Sequence, residues 1–99
     1  MEFLKEYGQK YGFGIDIKTW DQPKRFRIRI AFLNDCIAEI YSCDHRKNHK
    51  SKYTVAAYDH QGYHVYYDTL NKMGAENGTF HCNSELEIII ACENIRRLS

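Results

Sequence analysis

Hydrophobic and polar positions follow a helical period at the start of the chain and a period of two soon after. Phe3, Leu4, Tyr7 and Tyr11 recur at the spacing of one helix face, which predicts an amphipathic helix over residues 2–11. Gly12 or Gly14 ends it, because glycine accepts the left-handed conformation that caps a helix. In "FGIDIKTW", Phe13, Ile15 and Ile17 face one way and Asp16 and Lys18 the other, which predicts a first strand. "DQPK" reads as a turn, since Pro23 cannot donate to a central ladder.

"RFRIRIAFL" carries the cleanest alternation. Phe26, Ile28, Ile30 and Phe32 form one face and Arg25, Arg27 and Arg29 the other, as a half-buried strand requires. Asn34-Asp35 is a tight-turn pair, so this strand returns as a third, "CIAEIYSC". "CDHRKNHKSK" then reads as a polar loop. "KYTVAAY" and "YHVYY" flank "DHQG" and predict a hairpin of fourth and fifth strands. "NKMGAENG" is a loop closing on Asn77-Gly78, and "TFHC" fits either a short strand or the entry to the last element. Ser84 and Glu87 form a capping box before "LEIIIACENIRRL", whose Arg96 and Arg97 suit a helix C-terminus. The three consecutive isoleucines would also suit a strand.

The fold class that follows is α+β: one small domain over residues 1–99, with an antiparallel sheet of about five strands. An N-terminal and a C-terminal helix pack on one face. The expected core sets Phe26, Ile28, Ile30 and Phe32 against Leu4, Tyr7, Leu86 and Ile90.

Composition supports a folded chain, with 43% hydrophobic and 14% aromatic residues in 99. No apolar run approaches the ~20 residues of a membrane span, so no membrane role is expected. The start does not read as an export signal, which predicts a cytoplasmic chain with reduced thiols. Charge is uneven within a net +1. Residues 1–52 hold eleven Lys or Arg against seven Asp or Glu, and residues 53–99 hold three against six. Such asymmetry concerns surfaces and partners rather than fold.

Cys36, Cys43, His45 and His49 are residue types that zinc prefers, and four is the right number. Their C-x6-C-x-H-x3-H spacing departs from common zinc fingers, neighbouring Lys and Arg oppose a dication, and Cys36 and Cys43 differ by an odd count, so one strand points them to opposite faces. No metal and no cofactor is expected. His60 and His64 would flank the predicted hairpin turn rather than share a helix face. Nucleophile-elbow, phosphate-loop and His-Glu-x-x-His motifs are absent from the sequence. Five histidines with Lys, Arg and Tyr leave acid–base ribonuclease chemistry as a third reading.

The sequence points instead to surface binding. Lys24, Arg25, Arg27 and Arg29 form one basic group, and Arg46, Lys47, Lys50 and Lys52 another. Asp16 and Glu39 on neighbouring strands would partly neutralise the first. Tyr58, Tyr63 and Tyr66 belong to a tyrosine-rich stretch that suits an interface or a base-stacking platform. The expectation is a non-enzymatic binding protein, a stoichiometric inhibitor of the kind found among phage anti-CRISPR, anti-defence and immunity proteins. Its partner would be a protein with an acidic or nucleic-acid-binding surface. Direct RNA or DNA binding is the alternative.

Overall fold

Alternation in the first half of the chain builds a meander. In the computed structural model, which describes residues 2–20, 25–43 and 50–99, helix α1 (Glu2–Tyr11) leads into β1 (Gly14–Thr19), β2 (Phe26–Phe32), β3 (Cys36–Ser42) and β4 (Tyr53–Tyr58). A short helix α2 (Tyr67–Lys72), strand β5 (Thr79–Cys82) and helix α3 (Glu85–Leu98) complete the order. The five strands lie in the order β1-β2-β3-β4-β5, every pair antiparallel.

One face of this sheet is the core. Ile28, Ile30, Phe32, Cys36, Ala38, Ile40, Val55 and Ala57 pack with Leu4 and Tyr7 of α1, Leu70 of α2 and Ile88, Ala91, Cys92 and Ile95 of α3. Phe26 joins at the margin, half-buried. Leu4 and Tyr7 take the expected place, but Leu86 and Ile90 do not: they are 67% and 52% exposed. The inward stripe of α3 is Ile88, Ala91, Cys92 and Ile95, at the three- and four-residue steps of a buried helix face.

The C-terminal element is a helix, and its start explains why three isoleucines did not make a strand. Ser84 Oγ accepts from the Glu87 N–H at 3.2 Å, and the Glu87 carboxylate accepts from the N–H of Asn83. This capping box reaches one residue further back than the usual one, which returns to the cap residue itself.

The predicted hairpin of "YTVAAY" with "YHVYY" is only begun. Asp59 caps the turn by accepting from the N–H groups of Gln61 and Tyr63, and Tyr58 bridges His64. The Val65 N–H still reaches the carbonyl of Ala57. Tyr66 then adopts a left-handed conformation, φ 58°, and the chain turns into α2. Two facts favour this route over a strand. Leu70 gains full burial, and the flank of β4 from Tyr53 to Ala56 is taken by β5, the "TFHC" segment. β-propensity describes fit to a packed pleated surface, and here that place was occupied.

Candidate docking face on the open side of the sheet

Because side chains alternate along each strand, a sheet whose helices all lie on one side presents its other face to solvent. The register aligns that face in rows. One row holds Lys18, Arg27, Tyr41, Thr54 and His81; the next holds Asp16, Arg29, Glu39, Ala56 and Thr79. Gly14, Ala31, Ile37 and Tyr58 form a third.

Glu39 is the electrostatic centre of this face. Its side chain is only 12% exposed, and its Oε2 accepts from Arg29 Nε at 3.1 Å across the β2–β3 pair. Burial raises the titration of the Tyr41 and Tyr58 phenols above the ordinary tyrosine range, and the Glu39 carboxylate raises both further. Arg27 opposes this at Tyr41. The Arg27 guanidinium also approaches Asp16 at 3.8 Å, while its Nε is buried with no hydrogen-bond partner among the described residues.

Beside Glu39 lies a hollow of about 320 Å³ lined by Arg29, Ile37, Glu39, Tyr58, Asp59, His60 and Gly62. His60 is tied at its rim: its N–H donates to Asp35 Oδ1 at 3.1 Å, and its imidazole Nδ1 meets the same carboxylate. The hollow thus contains a guanidinium, carboxylates, a phenol and an imidazole, a set suited to matched polar contacts. No thiol joins it. Cys36, Cys82 and Cys92 lie in the core, where burial pushes the Cys36 and Cys82 thiols up to about 11 and Cys92 higher still. A thiol held protonated in this way is a poor nucleophile.

The residues singled out from sequence separate into groups. Arg27 and Arg29 occupy the open face as expected. Arg25 stands at its end, its guanidinium 5.5 Å from the Trp20 ring centroid. Lys50 pairs with Glu76, and Lys52 is exposed. Tyr58 lies half-buried on the open face against the His64 ring at 4.6 Å, and Tyr63 is 69% exposed at the turn beyond β4. Tyr66 packs against the core instead. Lys24, Arg46, Lys47, His45 and His49 lie outside the described residues. Cys36 faces the core, whereas Cys43 Sγ lies 3.9 Å from Thr54 Oγ1 on the opposite side, so these two thiols are directed to different faces.

Thr19 faces Phe26, and Ser42 faces Tyr53 beside Phe26, so the ends from which residues 20–25 and 43–52 continue are one end of the sheet. That Tyr41 shares a face with Glu39 was available from strand parity, whereas its place opposite Arg27 follows only from the register. The His60–Asp35 contact was not, since it joins two loops 25 residues apart. Among the described residues no helix is long and apolar enough to cross a membrane. Comparison with family models, with curated proteins and with solved structures finds no match for this chain.

Proposed function

We propose that this chain is a small binding protein without catalysis, acting in the cytoplasm as a stoichiometric inhibitor of the anti-CRISPR, anti-defence or immunity-protein kind. Its open sheet face docks on a protein surface whose acidic groups meet Arg27 and Arg29 and whose basic groups meet Asp16 and Glu39. The observation that carries this reading is the uncovered face itself, with Arg27 and Arg29 beside half-buried Tyr41 and Tyr58. Arg and Tyr are the residues that anchor interfaces. The pattern of sign favours a protein over a phosphate backbone. Asp16 and Glu39 flank Arg29 in one row and Asp16 also approaches Arg27 in the next, and interspersed charges match a partner of mixed charge while repelling a polyanion. Tyr58 is also poorly placed for base stacking, since it already contacts the His64 ring of its own chain.

Direct binding of RNA or DNA is the second reading. It is favoured by the strand ends Thr19, Phe26, Ser42 and Tyr53, which flank the two basic stretches of the sequence and lie at one end of the sheet.

The test is capture from host lysate with the parent chain and two variants: Arg25→Ala/Arg27→Ala/Arg29→Ala, and Arg46→Ala/Lys47→Ala/Lys50→Ala/Lys52→Ala. The expected result is a protein retained in stoichiometric amount after nuclease treatment, lost with the first variant, and weakened by salt. A signal abolished by nuclease sinks the inhibitor reading in favour of nucleic-acid binding. Turnover of labelled RNA by the pure chain defeats the non-catalytic premise.

A further inference from the structure

Strand β1 is an edge of the sheet. The direction of its free backbone groups follows from two hydrogen bonds. The Trp20 N–H donates to the Arg25 carbonyl at 3.1 Å, and the Phe26 N–H is turned towards Ser42 on β3. Even-numbered β1 residues therefore bond to β2, and the N–H and C=O groups of Ile15, Ile17 and Thr19 point away from the sheet. Edge strands usually carry a device that blocks pairing, such as a proline, a bulge or an inward charge. β1 has no proline or bulge, its register with β2 is unbroken, its edge charges Asp16 and Lys18 are of opposite sign and so can pair reciprocally, and Ile17 on the core side is 37% exposed.

We infer that β1 pairs antiparallel with β1 of a second copy of this chain, with the two-fold axis at Ile17, joining two five-stranded sheets edge to edge. The register is selected by charge and by shape. Centred on Ile17, Asp16 of each copy lies opposite Lys18 of the other, Ile17 meets its own equivalent, and Ile15 lies opposite Thr19. Every outward N–H and C=O of the strand then finds a partner. Centring on Asp16 would set two carboxylates face to face, which is destabilising. A shift by one residue would place core-side side chains opposite those of the open face.

The same register puts Trp20 of one copy over Gly14 of the other, on the open face. Gly14 has no side chain, and a Cβ there would meet nothing within 4 Å. It borders a hollow of about 420 Å³ floored by Ala31 and Ile37, large enough to receive an indole. The strand thus carries a ring, a place for that ring and two reciprocal charges at self-complementary positions, as an isologous contact requires. The inference does not rest on the docking reading above, but it shares Asp16, Arg29 and Ile37 with that face, and it would bring Arg27 and Arg29 of both copies onto one continuous surface.

Sedimentation equilibrium of the pure chain tests it. The expected mass rises with concentration from 11.7 kDa towards twice that value. Trp20 is the sole tryptophan, so its emission should shift to the blue along the same concentration curve. Asp16→Lys should shift the equilibrium towards monomer, and adding Lys18→Asp should restore the dimer by exchanging the two charges. Ile17→Pro should abolish pairing while leaving the β1–β2 ladder, because the lost N–H faces outward. A chain that stays monomeric at all concentrations overturns the inference. So does a dimer unaffected by Asp16→Lys, or one whose Trp20 emission does not change; the charge-swap pair decides the matter even if Ile17→Pro fails to fold.

Discussion

Gly78 offers a sharp test of the turn that delivers β5 to the sheet, because the chain supplies its own control. Asn77 and Gly78 have φ of 53° and 77°, and Glu76 and Thr79 exchange backbone hydrogen bonds of 2.9 and 3.1 Å around them. Two consecutive left-handed residues make the turn type that matches strand twist. In Gly78→Ala, the new Cβ would lie 2.7 Å from Cδ2 of Tyr67 and 3.1 Å from Nδ1 of His64. Those rings stand edge to face at 5.7 Å, and the Tyr67 hydroxyl donates to Asn77 at 3.2 Å. Gly12, at the end of α1, has nearly the same φ of 73° but open space around it. Left-handed strain on alanine costs about 1–2 kcal/mol. Loss of unfolded-state entropy offsets roughly 0.4–1 kcal/mol of that, so Gly12→Ala should destabilise by about 1 kcal/mol. Displacing two rings resembles overpacking, at about 1–3 kcal/mol, and the rings are partly free to move, so Gly78→Ala should cost about 2–3 kcal/mol. Urea denaturation with an unchanged slope reads the difference directly. Equal losses in the two variants would refute the close packing of Tyr67 and His64 on Gly78.

The Glu93 carboxylate is held below the usual carboxylate range, chiefly by the Arg96 guanidinium at 2.7 Å and also by the donating Tyr7 hydroxyl at 2.9 Å. Its folded pKa lies below its unfolded one, so the stabilisation exists above the unfolded value and is lost as pH falls through the folded value. Glu93→Gln should lower stability at neutral pH and flatten the acid limb of a stability–pH curve; an unchanged acid limb would contradict this. Glu39→Gln should move the Tyr41 and Tyr58 phenol titrations, followed by ultraviolet absorbance, down towards the ordinary tyrosine value. Burial, the leading cause, stays in place, so they should not reach it, and no movement at either ring would exclude Glu39 as a cause. All four cysteines are buried, so a disulfide reagent at mildly alkaline pH should react slowly with the native chain and promptly with all four after unfolding. A fast-reacting thiol in the native chain would contradict the burial.

Local pattern alone determined much of this protein. Period two in "RFRIRIAF" set Ile28, Ile30 and Phe32 inward and Arg27 and Arg29 outward, since a strand has only two faces. Asn34-Asp35 and Asn77-Gly78 fixed two turns, because few residues tolerate positive φ. Ser84 with Glu87 marked the start of α3 through groups three residues apart. Tertiary structure decided what depends on which segment occupies a shared surface. "YHVYY" has strand composition, yet β5 holds the flank of β4, and burying Leu70 draws the chain into α2. Along α3, Leu86 and Ile90 are as apolar as Ile88 and Ile95, and only the direction from which the helix meets the sheet chose between the two stripes. The open face was likewise legible one strand at a time. Joining Glu39 to Arg29, Asp16 to Arg27 and Asp35 to His60 required the register, because a sequence records the alternation of each strand but not the neighbour against which it lies.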